Sequence, residues 1–249
     1  MKIFGDTSPS KELDLSLFKE NVFCLEGVKK NYEEEGTAYT VSPKKIEGKI
    51  PLLLCIHGSG RGALDYRDEP FYRTQRDYAL KNGYLFAALS NGPDTWGLDD
   101  GLNNTLLFLS YLREHFPLAE KMVLWPTSAG GTLCNRIVSM YPETVDFVIG
   151  TFPVYDLLAG FSLDHCKNAW GTKDTAEFKE LIKGKNPADF PEKLSSTTYY
   201  ISHGDKDIHV PIKAHSERMA KEVGKNVHLF VIKDGVHSTE NYAYYDMLK

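Results

Sequence analysis

The sequence predicts an α/β class protein: one domain built on a mostly parallel, doubly wound sheet flanked by helices. Three observations lead there. From residue 51 onward, short continuous apolar runs alternate with amphipathic helical stretches, as expected of strands covered on both faces by crossover helices. Clusters of Gly, Pro, Asn and Asp follow those runs directly, at the strand ends where such sheets form their binding crevice. With 249 residues, 42% hydrophobic and 25% charged, the chain can bury a substantial core within one domain.

Residues 1–20 are polar and charged and read as a loosely attached lead-in. Residues 22–25 and 37–41 are short β-type runs separated by Glu33-Glu34-Glu35-Gly36, which predicts an antiparallel hairpin at a sheet edge around a solvated acidic loop. Residues 51–57 (P-L-L-L-C-I-H) form the first buried strand, followed by Gly58-Ser59-Gly60; residues 70–82 read as a helix. Residues 84–90 give the next strand, ending at Asn91-Gly92-Pro93. In residues 101–115, Leu102, Leu106, Leu109 and Leu112 share one helical face. Residues 122–125 are a further apolar strand, broken at Pro126-Thr127-Ser128-Ala129-Gly130-Gly131. A helix follows, carrying Leu133, Ile137, Val138 and Met140, and Pro142 ends it. Residues 147–152 are a buried strand. The stretch at about 153–194 then interrupts the rhythm with Trp170-Gly171, Pro187 and Pro191 and two short helical patterns; so long an excursion between core strands predicts a small cap or lid. Residues 198–203 and 227–233 are the last strands, with helices over 213–223 and 238–249.

A net charge of −5 with interspersed signs argues against nucleic acid or an anionic membrane surface as partner. No apolar run is long enough to cross a bilayer. The N-terminus lacks the apolar core and cleavage pattern of a secretory signal, so a cytoplasmic setting is expected. Cys24, Cys55, Cys134 and Cys166 are scattered without zinc-site spacing, and read as small core hydrophobes.

The chemistry is carried by the turns. Strand, sharp turn with a central Ser, then helix is the context that gives a G-x-S-x-G-like motif meaning. It raises the Ser128 hydroxyl clear of the sheet and aims a helix N-terminus at charge developing beside it. In His57-Gly58-Ser59-Gly60, the backbone N–H of Ser59 can pair with that of Ala129 to hold an oxyanion, each such donor being worth about 2.7–4 kcal/mol in the transition state. His57 itself reads as a hydrogen-bonded structural residue. In His203-Gly204-Asp205-Lys206-Asp207-Ile208-His209-Val210-Pro211, Asp207 is the chosen carboxylate to orient an imidazole; Asp205 shapes the loop, and Asp156 is a competing orienter. His237, in Asp234-Gly235-Val236-His237-Ser238 after the last strand, is the candidate base for a hydroxyl that is a poor nucleophile until its proton is taken.

Ser128, Asp207 and His237 thus fall in that order, each after a different strand. With H-G-S-G at 57–60, S-A-G-G at 128–131, H-G-D-K-D-I-H-V-P at 203–211 and D-G-V-H-S at 234–238, the chain from about Leu52 to its end resembles the α/β-hydrolase superfamily. Within it, Asn186-Pro187 and the H-G-D-x-D-x-x-V-P segment resemble the branch of prolyl-oligopeptidase-type domains, dienelactone-hydrolase-like proteins and small esterases. The resemblance implies the α/β-hydrolase fold, Ser128 as nucleophile, Asp207 as acid, His237 as base, and the Ser59 and Ala129 N–H groups as oxyanion hole. Pro126 departs from the pattern, because the superfamily usually has Gly two residues before the Ser; Pro fixes φ and removes an N–H, which a strand's last position tolerates.

The expected activity is hydrolysis of a small-molecule carboxylic ester through an acyl-enzyme at Ser128, with no metal or organic cofactor implied. Trp96, Phe152, Tyr155 and Trp170 are candidate pocket residues, with core packing as their alternative. Two other readings stand beside this one. The first is an oligopeptidase-type peptidase or amidase, against which the sequence offers no N-terminal propeller to gate peptides. The second is a catalytically silent hydrolase-fold module that binds a small ligand or partner. The oligomeric state is left open.

Overall fold

The computed structural model of the protein describes residues 13–30, 32–159 and 163–238. Its frame is an eight-stranded sheet: β1 (Phe18–Cys24), β2 (Thr37–Pro43), β3 (Ile50–Ile56), β4 (Leu85–Leu89), β5 (Leu118–Pro126), β6 (Val145–Thr151), β7 (Thr198–Gly204) and β8 (Val227–Ile232). In space the order is β1-β2-β4-β3-β5-β6-β7-β8. The β1–β2 and β2–β4 pairs are antiparallel, and every other neighbouring pair is parallel.

The helices are α1 (Asp65–Asp68), α2 (Pro70–Lys81), α3 (Asp99–His115), α4 (Gly130–Met140), α5 (Leu163–Ala169), α6 (Thr175–Leu181), α7 (Pro191–Leu194) and α8 (Ser216–Val223). None of the described helices is long and apolar enough to cross a membrane.

The continuous apolar strands follow from burial on both faces. Successive side chains point to opposite sides of a strand. Along β3, Leu52, Leu54 and Ile56 enter one core layer while Leu53 and Cys55 enter another. β5 repeats the split, with Met122 and Leu124 on the first side and Val123 and Trp125 on the second. The first layer is closed by Leu102, Phe108, Leu109 and Leu112 of α3, Leu133, Ile137 and Val138 of α4, and Met219 and Val223 of α8. The second is closed by Tyr72, Ala79 and Leu80 of α2. Burying each Leu, Ile, Val, Phe or Met side chain among them fully contributes about 1.5–3 kcal/mol. A third apolar cluster lies beyond the strand ends. It joins Trp96, Ala129, Val154 and Val210 to Leu157, Cys166, Phe178 and Ile182, with Trp170 packed against it, so the 153–194 excursion sits on the residue after Ser128.

The order of the strands locates the crevice. After β3 the chain places β4 on one side, then returns to place β5 on the other, so the winding direction reverses there. The ends of β3 and β5 therefore flank the switch point where α/β sheets bind ligands.

Three expectations change at the edges. Residues 15–20 are not a loose lead-in: Leu15–Leu17 form a 3-10 turn capped by Asp14, and β1 begins at Phe18. Glu20 is tied down by Tyr39, whose hydroxyl donates to it at 2.5 Å, and by the buried Arg76 at 3.4 Å. This polar anchoring leaves little apolar alternation to read. Glu35 is not solvated with Glu33 and Glu34 but fully buried, its carboxylate accepting from the Tyr32 N–H and packed against Gly92. The helix over 213–223 begins later, at Ser216, because residues before it are held in turns on Pro211 and Ile212. Residues 1–12 and all but the first residue of the expected closing helix lie outside the described residues.

Candidate active site

Ser128 stands on a left-handed turn, φ +51°, between β5 and α4. Such a conformation costs a non-glycine residue about 1–2 kcal/mol, and hydrogen bonds on every side hold it. The Ser128 N–H donates to Thr151 O (3.0 Å), and its carbonyl accepts from Gly131 (2.9 Å) and Val154 (2.9 Å). The glycines after it are required by close approach. A Cβ on Gly130 would stand 2.4 Å from Ile56 O, and one on Gly131 2.6 Å from Val154 O. Pro126 is the last residue of β5, opposite Ile56, where its missing N–H leaves the turn intact.

The hydroxyl so raised meets an imidazole. Ser128 Oγ lies 3.1 Å from His237 Nε2, and His237 Nδ1 lies 2.7 Å from Asp207 Oδ2. The chain separations are 109 and 30 residues, so the sheet, not local sequence, brings these groups together. Asp207 is fully buried at its side chain and its Oδ1 accepts from the His209 and Val210 N–H groups at 2.9 and 2.8 Å. Burial alone raises its carboxyl. Hydrogen bonds from His203 and His237, the charge of His237 and the Val210 amide more than offset that, holding it well below the usual carboxylate range. Hydroxyl, imidazole and carboxylate in one hydrogen-bonded line can move a proton from oxygen to nitrogen while stabilising the resulting cation.

The turn after β3 passes directly beside the hydroxyl: a Cβ on Gly58 would stand 3.2 Å from Ser128 Cβ. The Asn91 N–H donates to His57 Nε2 (2.9 Å), so His57 Nδ1 carries the proton and donates to Gly58 O (2.8 Å). Burial lowers the imidazole pKa, in keeping with a neutral ring. Because that peptide is trans, anchoring its carbonyl turns the Ser59 N–H the opposite way. Neither the Ser59 nor the Ala129 N–H donates to another described residue, so both are available to an incoming oxygen.

Residues 96–247 match the profile of the prolyl oligopeptidase family. The chain belongs to the prolyl oligopeptidase family. Its fold is that of the α/β-hydrolases, and it is a hydrolase of the serine type. No curated protein matches the chain significantly. Among solved structures it superposes on an S-formylglutathione hydrolase from Agrobacterium tumefaciens with a TM-score of 0.68 and 15% identity, covering 90% of each chain. With carboxyl esterase 2 from the fungus Tuber melanosporum the TM-score is 0.67 and identity 17%, over 98% of this chain and 83% of that one. A prolyl endopeptidase gives 0.66 and 15%, over 92% of this chain but only 36% of its own length.

Within this family member, the sequence-predicted residues divide by position. Asp156 is not beside His237: its Oδ1 accepts from Leu158 N–H and Asn186 Nδ2 (2.9 and 2.8 Å), and its Oδ2 pairs with Arg218. Phe152, at φ +37°, sets its ring 4.4 Å from that of His237. Tyr155 does not line the crevice: its ring is fully buried in the main core, where an apolar ring is removed from water, and its hydroxyl finds a partner by donating to Glu222 (2.8 Å). Trp96 is buried in the cluster beneath the excursion, and the Trp170 indole N–H donates to its carbonyl (3.2 Å).

Three neighbours were missed in the sequence. Phe71 stacks 6.4 Å from Phe152, and the Tyr72 hydroxyl lies 3.5 Å from where a Gly58 Cβ would be. Both sit on α2, whose only signal was helical, with nothing to aim it at the crevice. The third is His203, inside a motif already noted, with Nε2 3.3 Å from Asp207 Oδ2.

Proposed function

We propose that the protein cleaves a small carboxylic ester through a Ser128–His237–Asp207 triad and an acyl-enzyme intermediate. The reading is carried by the continuous line from Ser128 Oγ through His237 to Asp207, at 3.1 and 2.7 Å. His237 Nε2 accepts the Ser128 proton as Oγ attacks the carbonyl carbon. The tetrahedral oxyanion takes the Ser59 and Ala129 N–H groups, and collapse expels the alkoxide, which His237 protonates. Water, activated by the same imidazole, then releases the acid and restores Ser128. Asp207 keeps the Nδ1–H tautomer in line throughout. The excursion at 153–194 acts as a cap over the Ala129 side of the crevice.

Ester preference is supported by neighbours whose whole length this chain nearly spans, an S-formylglutathione hydrolase and a carboxyl esterase. A peptidase is the second reading, favoured by the family match itself. Turnover of short acyl p-nitrophenyl esters is compared with that of aminoacyl p-nitroanilides. Ester turnover with Ser128 labelled by a fluorophosphonate supports the proposal; turnover of anilides alone makes the protein a peptidase. A folded protein that neither labels nor turns over either substrate has no working triad.

A further inference from the structure

The acid of the proposed triad has a second imidazole at its back. Asp207 Oδ2, which accepts from His237 Nδ1 at 2.7 Å, also stands 3.3 Å from His203 Nε2. His203 is the sixth residue of β7 and fully buried. Its Nε2 lies 2.7 Å from the carbonyl oxygen of Val210, and since a carbonyl only accepts, Nε2 must carry the proton. Nδ1 is then the acceptor, and the Ser216 hydroxyl donates to it at 2.7 Å. The Val210 carbonyl therefore sets the tautomer, and the Ser216 hydroxyl holds the other side of the ring.

We propose that His203 is a positioning residue that fixes Asp207 for His237. Its Nε2–H clamps the Val210 carbonyl and so holds the 207–210 turn, while presenting the same proton to the carboxylate oxygen that His237 uses. The inference rests on the triad reading and deepens it. Asp207 Oδ1 thus accepts from two backbone N–H groups and Oδ2 from His237, with His203 Nε2 3.3 Å from that same Oδ2. Sharing Oδ2 limits how strongly the carboxylate can hold the imidazolium that forms at residue 237.

The remaining ionisable groups around His203 come from several elements. His215, before α8, is kept neutral: burial lowers its pKa to about 4, and its Nδ1 accepts from the Tyr155 and Asp156 N–H groups. Asp156 is paired with Arg218 of α8. The His209 ring lies 5.6 Å from that of His237. The fully buried His203 is thus 3.3 Å from the same Oδ2 that the partly exposed His237 meets at 2.7 Å.

The experiment compares wild type with His203→Leu, which removes the donor, His203→Gln, whose amide nitrogen can reach the Nε2 position, and Ser216→Ala, which removes the hydroxyl that holds the ring at Nδ1. Three readouts are taken: folding by near-ultraviolet circular dichroism, kcat/KM against pH on a p-nitrophenyl ester, and the ring resonances of His237 against pH by NMR. With the competing donor gone, Oδ2 holds the imidazolium more strongly. The acid limb and the ring titration of His203→Leu should then move up by roughly half to one pH unit. His203→Gln should return both toward wild type, and Ser216→Ala should move them by less in the same direction. A folded His203→Leu with both midpoints unmoved, or a His203→Gln displaced as far as the leucine variant, overturns the proposal. Should His203→Leu fail to fold, an unmoved Ser216→Ala overturns it. A wild type that neither labels at Ser128 nor turns over sinks the triad's activity instead, and the NMR titration still decides what His203 does to residue 237.

Discussion

Replacing Gly130 by Ala tests whether the elbow is held by steric contact with the neighbouring strand. Alanine is the better helix former by about 1 kcal/mol, so at the start of an unconstrained α4 the change would stabilise. Here the new Cβ would stand 2.4 Å from Ile56 O and 2.7 Å from His57 O. Ordinary contacts are about 3.5–4.0 Å, so roughly 1 Å of movement is needed. The backbone it meets cannot easily give, because β3 is paired with β5 up to Ile56 opposite Pro126. Overpacking costs about 1–3 kcal/mol, and rigid backbone on both sides puts this case at the upper end, about 3 kcal/mol. At about 2–4 °C per kcal/mol for a chain of this size, Tm should fall by roughly 6–12 °C. Thermal unfolding measures it, alongside the rate of fluorophosphonate labelling, which should drop as the elbow shifts from the Gly58 turn. Gly48→Ala is the control: φ is +75° but no atom lies within 4 Å, so only about 1 kcal/mol of left-handed strain is added. A Gly130→Ala protein as stable as wild type, or more so, refutes the steric account of the motif.

Other outcomes follow from the same geometry. Ser128→Ala should abolish labelling and cut kcat by about 10³–10⁶-fold while leaving Tm nearly unchanged. Ser128→Gly should instead raise Tm by about 2 °C by relieving the +51° φ; equal stabilisation by Ala would show that the turn is unstrained. Because the Asp207 carboxyl is lowered in the folded state, its contribution to stability is complete above about pH 3.9 and is lost as pH falls through the lowered value. Asp207→Asn should therefore show a shallower loss of stability in acid titration, and an unchanged acid profile would contradict the lowered carboxyl. Of the four cysteines only Cys24 is exposed, and burial drives the Cys55 and Cys134 thiols upward. Native protein should give one fast thiol with a disulfide reagent, and Cys24→Ser should remove it; two fast thiols would mean that the core opens.

The parallel layout and the order of its reactive turns were legible because both depend on local composition. Two-sided burial demands uninterrupted apolar strands such as 52–56 and 122–125, and a turn with Ser128 ahead of Gly130-Gly131 leaves glycine where a backbone must approach closely. Residues with polar reasons for their placement were harder to read. Glu35 and Glu20 look like solvent charges in sequence, yet one is buried beside Gly92 and the other is held by Tyr39 and Arg76. The choice of Asp207 over Asp156 was already readable from its place in the turn, and the folded sheet adds the reason, by engaging Asp156 with Asn186 and Arg218. The folded sheet alone turns Tyr155 into the core and brings Phe71 to Phe152 and His203 to Asp207. Periodicity reports which face of an element is buried. Which polar atom a side chain meets across a hundred residues depends on distances that exist only once the strands have been laid side by side.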